Sequence, residues 1–547
     1  MIDNPKVKSG RLQSKIYSNK FFIQFFSLTL TFITVNSPIL LCAQSFDLPV
    51  IQRQPEESLK IKQVKVLGNT AFKKSELDAA IARFIGQKIT LTRLEEIREA
   101  IANLYIQEGY VTSGAYLPVQ DLSSSTIVIQ VVEGQLEKIE IRGLERLQES
   151  YISDRLKSAT EKPLNINRLE KALQLLQLNP LIKTIRAELK QGRAPGLNVL
   201  EVEAIEADAF SVGLQFNNYE SPVIGELQGA AIVEHQNLLG FGDRAYASYG
   251  VTEGLDKFNI SYAVPFNAQN GTVKVEYNSG DNRIVEEFED LGIRAESERL
   301  LIAVRQPLVQ SPSEEFTLFM ALDLQESRTF ILEDFPFSFT VGPERGKSRV
   351  TALRLGQEWL SRSTDGVIGA RSQFSIGLDW FDATVNDSGT DGQFFSWQGQ
   401  FQWVEKLDED ITFLVRTTAQ LTPDSLLPIE QFDIGGIDTV RGYRQNLRVG
   451  DNGLSASAEV RFLLFNDEDW GSLEVAPFVD FGTVWSERTD ALEPNTLVST
   501  GASLRWQWQD SLFVRLDYGI PLVEVENRGD SLQESGLSFS AGASVKF

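Results

Sequence analysis

Polar and apolar positions change rhythm along the chain. Between residues 61 and 204, short alternating runs interleave with stretches where apolar residues recur every three or four positions. Residues 61–66 alternate, and Gly68-Asn69-Thr70-Ala71-Phe72 breaks the run. Leu77, Ala80, Ile81 and Phe84 then share one helical face, and Leu94, Ile97, Ile101, Leu104 and Tyr105 share another. This predicts two helices, opened by Ser75 and Thr92. Strands at 113–119 and 126–133 close the unit. The same order recurs with a strand at 136–141, helices near 151–158 and 166–178, and strands near 184–190 and 197–204. A repeat of about 75 residues means two copies of a β-α-α-β-β module, helices on one face of a three-stranded sheet. Such a sheet keeps an open edge that an extended peptide can join.

From Asp208 onward the period is two. In 394–403, Phe395, Trp397, Gly399, Phe401 and Trp403 oppose Ser396, Gln398, Gln400 and Gln402. In 498–508, Val498, Ala502, Leu504, Trp506 and Trp508 oppose Ser499, Ser503, Arg505 and Gln507. Runs of about ten residues with one wet and one greasy side suit tilted strands crossing a membrane as a closed cylinder. About sixteen such runs are visible, starting near residues 208, 225, 243, 255, 271, 298, 316, 348, 367, 394, 411, 455, 473, 498, 512 and 537. The even number fits an all-β transmembrane barrel of antiparallel strands, with every edge paired inside lipid. Turns at 265–271 and 307–315 are short. Links at 281–297, 327–347 and 421–454 are long and are expected outside the cell.

Composition sharpens this picture. Mean hydropathy is −0.15, which excludes a bundle of apolar helices but not a barrel. The net charge of −23 argues against nucleic-acid binding. Lys6, Lys8, Arg11, Lys15 and Lys20 precede an apolar stretch near 21–41 that ends at Ala43, the order of an export signal. The expected organisation is a signal peptide at 1–43, a linker at 44–59, modules at 60–134 and 135–206, and a barrel at 207–547. The leader carries a net +4, so the remaining chain carries −27. The one cysteine, Cys42, lies in that leader, and His235 is the one histidine. No disulfide framework, Cys–His relay or His-rich metal site is therefore expected, nor any cofactor. Gly240-Phe241-Gly242-Asp243-Arg244-Ala245 resembles a dinucleotide fingerprint, but a strand follows it where a helix is needed. The pair Glu286-Glu287 reads as solvated loop charge.

The informative segment is Gly435-Gly436-Ile437-Asp438-Thr439-Val440-Arg441-Gly442-Tyr443-Arg444, set in the longest link. A long glycine-bearing loop of this kind is a lid, a plug or a mobile surface loop. Further on, Pro477-Phe478-Val479-Asp480-Phe481-Gly482 places Phe478 and Asp480 on the wet side of a strand. A lumenal aspartate suits an arginine brought inward by a loop, because the guanidinium fork grips a carboxylate twice.

These two strings resemble the paired signatures of the BamA/TpsB superfamily, and the modules resemble POTRA domains. Gly68, Asn69 and Phe72 belong to the first module. Its Glu108-Gly109-Tyr110 through Leu117-Pro118, then Val131-Val132-Glu133-Gly134, resemble the TpsB branch of two-partner secretion transporters, FhaC and ShlB among them. Asn237-Leu238-Leu239-Gly240-Phe241-Gly242-Asp243 resembles a barrel motif of the same superfamily. The likeness spans nearly all of the chain after the leader. It implies that Arg441 meets Asp480 inside the pore and holds the long loop at about 421–454 folded inward. It also implies a monomeric, non-enzymatic outer-membrane transporter, in contact with lipid and without nucleic acid. The partner it implies is a large β-helical exoprotein, unfolded in transit, that POTRA domains in the periplasm receive and the pore passes without ATP. Relatives often carry a plug helix and a long linker. Here about fifteen residues separate Ala43 from Lys60, a departure that argues against a plug helix without deciding its presence. A BamA-type assembly factor and a passive pore or adhesin are the alternative readings.

Overall fold

The computed structural model describes residues 60–121, 125–286, 288–387, 389–486, 492–526 and 529–547. The leader, Cys42, the linker and Glu287 lie outside them. The chain divides into two units between Ala207 and Asp208.

The first unit holds both modules. Module one contains β1 (Gln63–Leu67), α1 (Lys74–Ile81), α2 (Leu91–Gln107), β2 (Gly114–Tyr116) and β3 (Thr126–Val132). Its sheet runs β1-β3-β2, with β1 parallel and β2 antiparallel to β3. Ile97, Ile101, Ile127 and Ile129 are fully buried between helices and sheet. Each such side chain contributes about 1.5–3 kcal/mol through burial. Module two repeats the plan with β4 (Gln135–Arg142), α3 (Glu149–Lys157), α4 (Ile166–Gln177), β5 (Ile182–Gln191) and β6 (Leu197–Glu206), in the order β4-β6-β5. Two helix starts differ from the sequence expectation. Ser75 and Thr92 sit inside the first turns. The caps are Lys73, whose N–H donates to Glu76 Oε2 at 2.7 Å, and Thr90, whose hydroxyl accepts from the Arg93 N–H at 3.2 Å. In each case a partner three residues on makes the earlier position the better cap.

The second unit is a closed barrel. Its first seven strands are β7 (Phe210–Asn217), β8 (Gln228–Gln236), β9 (Arg244–Val251), β10 (Leu255–Pro265), β11 (Thr272–Arg283), β12 (Arg294–Gln310) and β13 (Glu314–Ile331). A two-residue piece, β14 (Phe335–Pro336), precedes β15 (Lys347–Arg362) and β16 (Gly366–Leu378). After the short β17 (Thr390–Asp391) come β18 (Phe395–Asp408) and β19 (Ile411–Leu421). The next link carries β20 (Ser425–Leu426), β21 (Phe432–Ile434) and β22 (Arg448–Gly450). The wall ends with β23 (Asn452–Asp467), β24 (Gly471–Trp485), β25 (Thr496–Trp508), β26 (Leu512–Pro521) and β27 (Leu537–Lys546). Among the described residues sixteen long strands form the wall, each antiparallel to its neighbours, and β27 closes on β7 from Ser540↔Asn217 to Lys546↔Ser211. Closure leaves no unpaired edge for lipid to meet.

Alternation sets the two faces. Leu214, Phe216, Ile260, Phe374, Phe401 and Leu504 are exposed on the outside, whereas Ser457, Ser499, Ser503 and Ser540 are buried on the inside. One rim carries tight turns at 311–313, 363–365, 409–410 and 468–470; the other carries links such as 332–346 and 422–451. Two links are shorter than expected, because β11 to β15 continue past the apolar band. There Glu326 pairs across to Arg349 on β15 and along its own strand with Arg328 at 2.5 Å, and Arg294 on β12 pairs across to Asp281 on β11 at 3.1 Å. Charged cross-strand pairs hold these extensions without the apolar alternation that marks a strand in sequence.

The outward face yields a direct test. Leu504→Arg places a charge on the lipid side and should weaken folding into vesicles by about 2–4 kcal/mol near the midplane. A urea titration of the inserted protein with no shift would contradict this orientation of β25.

Candidate functional site

The 422–451 link turns back into the barrel. β21 and β22 pair antiparallel, from Phe432↔Gly450 to Ile434↔Arg448, so the link is a hairpin with its tip at 435–447. Gly435 and Gly436 begin the tip at φ +109° and +90°, a backbone that side chains disfavour. The Gly435 N–H donates to Thr439 Oγ1 at 2.8 Å, and the Gly436 N–H donates to the Val440 carbonyl at 3.1 Å. This tight turn aims Val440 and Arg441 at the wall. Val440, Ile434, Phe432 and Tyr443 pack with Val484 and Leu497 into a dry cluster.

Arg441 is 1% exposed, as is Asp480 on β24. Arg441 Nε donates to Asp480 Oδ2 at 2.7 Å and Nη2 to Oδ1 at 2.8 Å, a two-pronged grip. The Arg441 backbone N–H adds a third bond to Asp480 at 3.1 Å. Nη1 reaches Glu459 at 3.1 Å, Ser503 at 3.2 Å and Asp517 at 3.4 Å, while Nη2 reaches Ser457 at 3.1 Å. The guanidinium also lies 3.4 Å from the centre of the Phe478 ring. One side chain thus touches four consecutive strands, β23 to β26. Arg461 and Arg505 neutralise Glu459 at 2.6 and 2.9 Å, and Arg515 neutralises Asp517 at 2.7 Å.

Two wall glycines make room for the loop. A Cβ at Gly482 would stand 2.7 Å from Val440 Cγ2. At Gly519 it would stand 2.5 Å from the Gly442 amide nitrogen. Gly442 itself has φ +89°. The Tyr443 hydroxyl lies 2.8 Å from the Val498 carbonyl and 3.0 Å from that of Val523, and it accepts the Val523 N–H at 3.1 Å. The loop is therefore seated by shape, by an apolar contact and by charge at once.

A family model for the haemolysin secretion/activation protein ShlB/FhaC/HecB matches residues 196–506, more than half of the chain, and one for the ShlB-type POTRA domain matches 59–134. The chain belongs to the ShlB/FhaC/HecB family. It is 25% identical to the outer membrane transporter CdiB of Escherichia coli over 461 residues, 81% of this chain and 76% of that protein. It is 22% identical to the hemolysin transporter protein ShlB of Serratia marcescens, over 83% of this chain and 81% of that one. The solved structure of CdiB from E. coli superposes with a TM-score of 0.70 at 21% identity, covering 92% of this chain and 93% of that one. That of CdiB from Acinetobacter baumannii gives 0.64 at 17%, covering 92% of each chain. BamA from Haemophilus ducreyi lacking POTRA domains 1–3 shares the fold at 0.55 and 14%, covering 89% of this chain and all of that shortened one. As a member of this two-partner secretion family, the protein is an outer-membrane barrel with POTRA domains in the periplasm.

The other sequence motifs gather at two further places. In the turn between β8 and β9, buried Asp243 accepts the Leu239 N–H at 2.9 Å and the Tyr262 hydroxyl at 3.0 Å. Asn237 accepts the Gly242 N–H at 3.0 Å, and Gly240 and Gly242 take positive φ. This is a self-bonded hairpin turn followed by strand β9. In the first POTRA domain, Glu133 accepts from the Thr70 N–H at 2.6 Å, the Ala71 N–H at 2.9 Å and the Thr70 hydroxyl. The Tyr105 hydroxyl lies 2.9 Å from Glu133 and 2.7 Å from Asn69 Oδ1. Burial opposes the charge on Glu133, but these bonds outweigh it and hold its carboxyl below the usual range. Phe72, Tyr105 and Tyr110 stack edge-on around it. A Cβ at Gly68 would meet the Val131 carbonyl at 2.3 Å. Gly109 and Gly134 lie at the joint between the modules, their carbonyls accepting the Ile166 and Leu164 N–H groups at 2.9 and 2.7 Å. Pro118 follows the end of β2.

Sequence reading missed Glu459, Asp517, Ser457 and Ser503. Their signal was present as opposite charges two residues apart on a wet face, Glu459 with Arg461 and Arg515 with Asp517.

Two outcomes follow. Arg441→Ala removes the cation from a buried anionic pocket, at a cost of about 3–5 kcal/mol, and should raise single-channel conductance in planar bilayers. Gly519→Ala should do the same without touching a charge, and Arg441→Lys should fall between, having lost the fork. Unchanged channels in all three would contradict a seated loop. Separately, Glu133→Gln should destabilise the periplasmic segment by about 2–3 kcal/mol at neutral pH, read by circular dichroism in urea. Because the folded carboxyl titrates below its ordinary value of 4.5, the wild-type advantage should be complete above that pH and fade as pH falls through the lower folded value. A difference that does not shrink as the pH is lowered from 4.5 would contradict this.

Proposed function

We propose that this protein exports an unfolded exoprotein through its barrel, after capture by the two modules at 60–134 and 135–206, and that the 422–451 loop withdraws to open the path. The leader at 1–43 directs the chain to the periplasm, and 44–59 is a linker. The observation that carries the reading is the loop: it occupies the lumen, and at its tip hydrogen bonds and ion pairs converge on the Arg441 guanidinium. Such contacts are exchangeable, so the loop can be displaced and can return. Capture is supported by the sheet edges: β1 and β2 border one three-stranded sheet, β4 and β5 the other, and an edge strand accepts an extended peptide. The cargo is a large, β-helical protein. Its folding outside the cell draws the remaining chain forward, so no ATP and no catalytic residue are needed. The transporter acts as a monomer.

Removal of residues 60–206 provides the test. The barrel should still reach the outer membrane, and one large protein should disappear from the culture medium. Continued secretion would overturn the reading. A general fall in outer-membrane proteins would point instead to barrel assembly.

A further inference from the structure

The loop has a second tether. Ahead of its tip, a 3₁₀ turn at Pro428–Glu430 carries Glu430, whose side chain is 7% exposed. Glu430 Oε1 accepts from Arg354 Nη2 on β15 at 2.7 Å and from Gln325 Nε2 on β13 at 2.6 Å. Arg354 is shared: its Nε donates to Asp323 Oδ2 at 2.7 Å, and Asp323, fully buried, also takes both prongs of Arg299 at 2.8 and 2.6 Å. Two arginines thus face two carboxylates. Beside them Leu426 and Leu427 are buried against Val350, Ala352 and Phe394.

Position around the cylinder gives this cluster its meaning. Counting β7 as the first of sixteen wall strands, β13 and β15 are the seventh and eighth, whereas the partners of Arg441 lie on the twelfth to fifteenth, with Asp480 on the thirteenth. The centres of the two anchorages are six strands apart, more than a third of the circumference. The loop springs from strands eleven and twelve, beside the Arg441 anchorage and three strands from the other. It is therefore fixed to two separate arcs of the wall, and release at Arg441 alone leaves its first limb in place.

We propose that Glu430, with Arg354 and Gln325, is a second latch that positions the loop across the pore, and that full opening requires both latches to part. This rests on the reading of the loop as a gate. The latch is ionic and side-chain only, so it breaks without loss of any ladder hydrogen bond.

Planar-bilayer recording of the full-length protein tests it without any cargo. Glu430→Gln keeps the size and removes the charge. It should raise the open probability about tenfold or more, since truncating one member of a buried pair is costly. Glu430→Asp should restore part of the closure. Combined with Arg441→Ala, Glu430→Gln should give a larger conductance than either change alone. Should Glu430→Gln fail to insert, Arg354→Lys serves in its place, since an ammonium keeps Asp323 paired but cannot span both carboxylates. Open probability equal to the parent in an inserted variant, or a double variant no wider than Arg441→Ala, would overturn the second latch. A secretion defect is not the readout, so failure here leaves the export reading standing, and failure of export leaves the channel result intact.

Discussion

A guanidinium withdrawn from water has few places to go. Arg441 keeps its charge inside the barrel only because Asp480 takes both prongs, Glu459 and Asp517 face its remaining edge, and Phe478 lies under its plane. That requirement propagates outward. The loop has to turn tightly to deliver the side chain, which accounts for the positive φ of Gly435 and Gly436. Its backbone has to run against the wall, which is why Gly482 and Gly519 carry no side chain. Glu459 and Asp517 need countercharges beyond Arg441, which Arg461 and Arg505 supply to the first and Arg515 to the second from adjacent wet faces.

The barrel makes such a pocket possible. Lipid outside requires every strand to be paired, so the wall is rigid and continuous, and its alternation puts all polar side chains into one shared interior. Polar groups from distant strands then meet without any sequence proximity. Ser457, Asp480, Ser503 and Asp517 come from four hairpin-linked strands and converge on one loop residue. Glu430 and Arg354 use the same interior on a separate arc of the wall. A gate built from such contacts is closed by several modest interactions that can be given up in turn, whereas a covalent or fully apolar plug would have to unfold.

Much of the fold was legible because period-two alternation, repeated in runs of about ten residues, suits little besides strands that cross a membrane. The strand count followed from it. Strand ends were not legible where charge pairs replace apolar alternation, as at Glu326 and Arg349. Helix caps slipped by two residues because Ser75 and Thr92 have the right chemistry, but the helices have already begun at Lys74 and Leu91. Within the pore, Arg441 and Asp480 stood out through the glycine-bearing strings around them. Glu459 and Asp517 left a weaker trace, as carboxylates two residues from an arginine on a wet face, and Glu430 sits in a turn of the link, where it looks like any solvated loop charge until the closed cylinder brings it opposite Arg354.

The central claim is that the loop must leave its seat for cargo to pass. Positions 440 and 482 are close enough to test it, since a Cβ at Gly482 would lie 2.7 Å from Val440 Cγ2, and the sequence's one cysteine is Cys42 in the leader. A Val440→Cys, Gly482→Cys protein, oxidised to a disulfide, ties the loop to β24. Export of the partner protein should stop in the oxidised cells and resume on addition of reductant. Undiminished export through a barrel whose loop is covalently held would contradict the account.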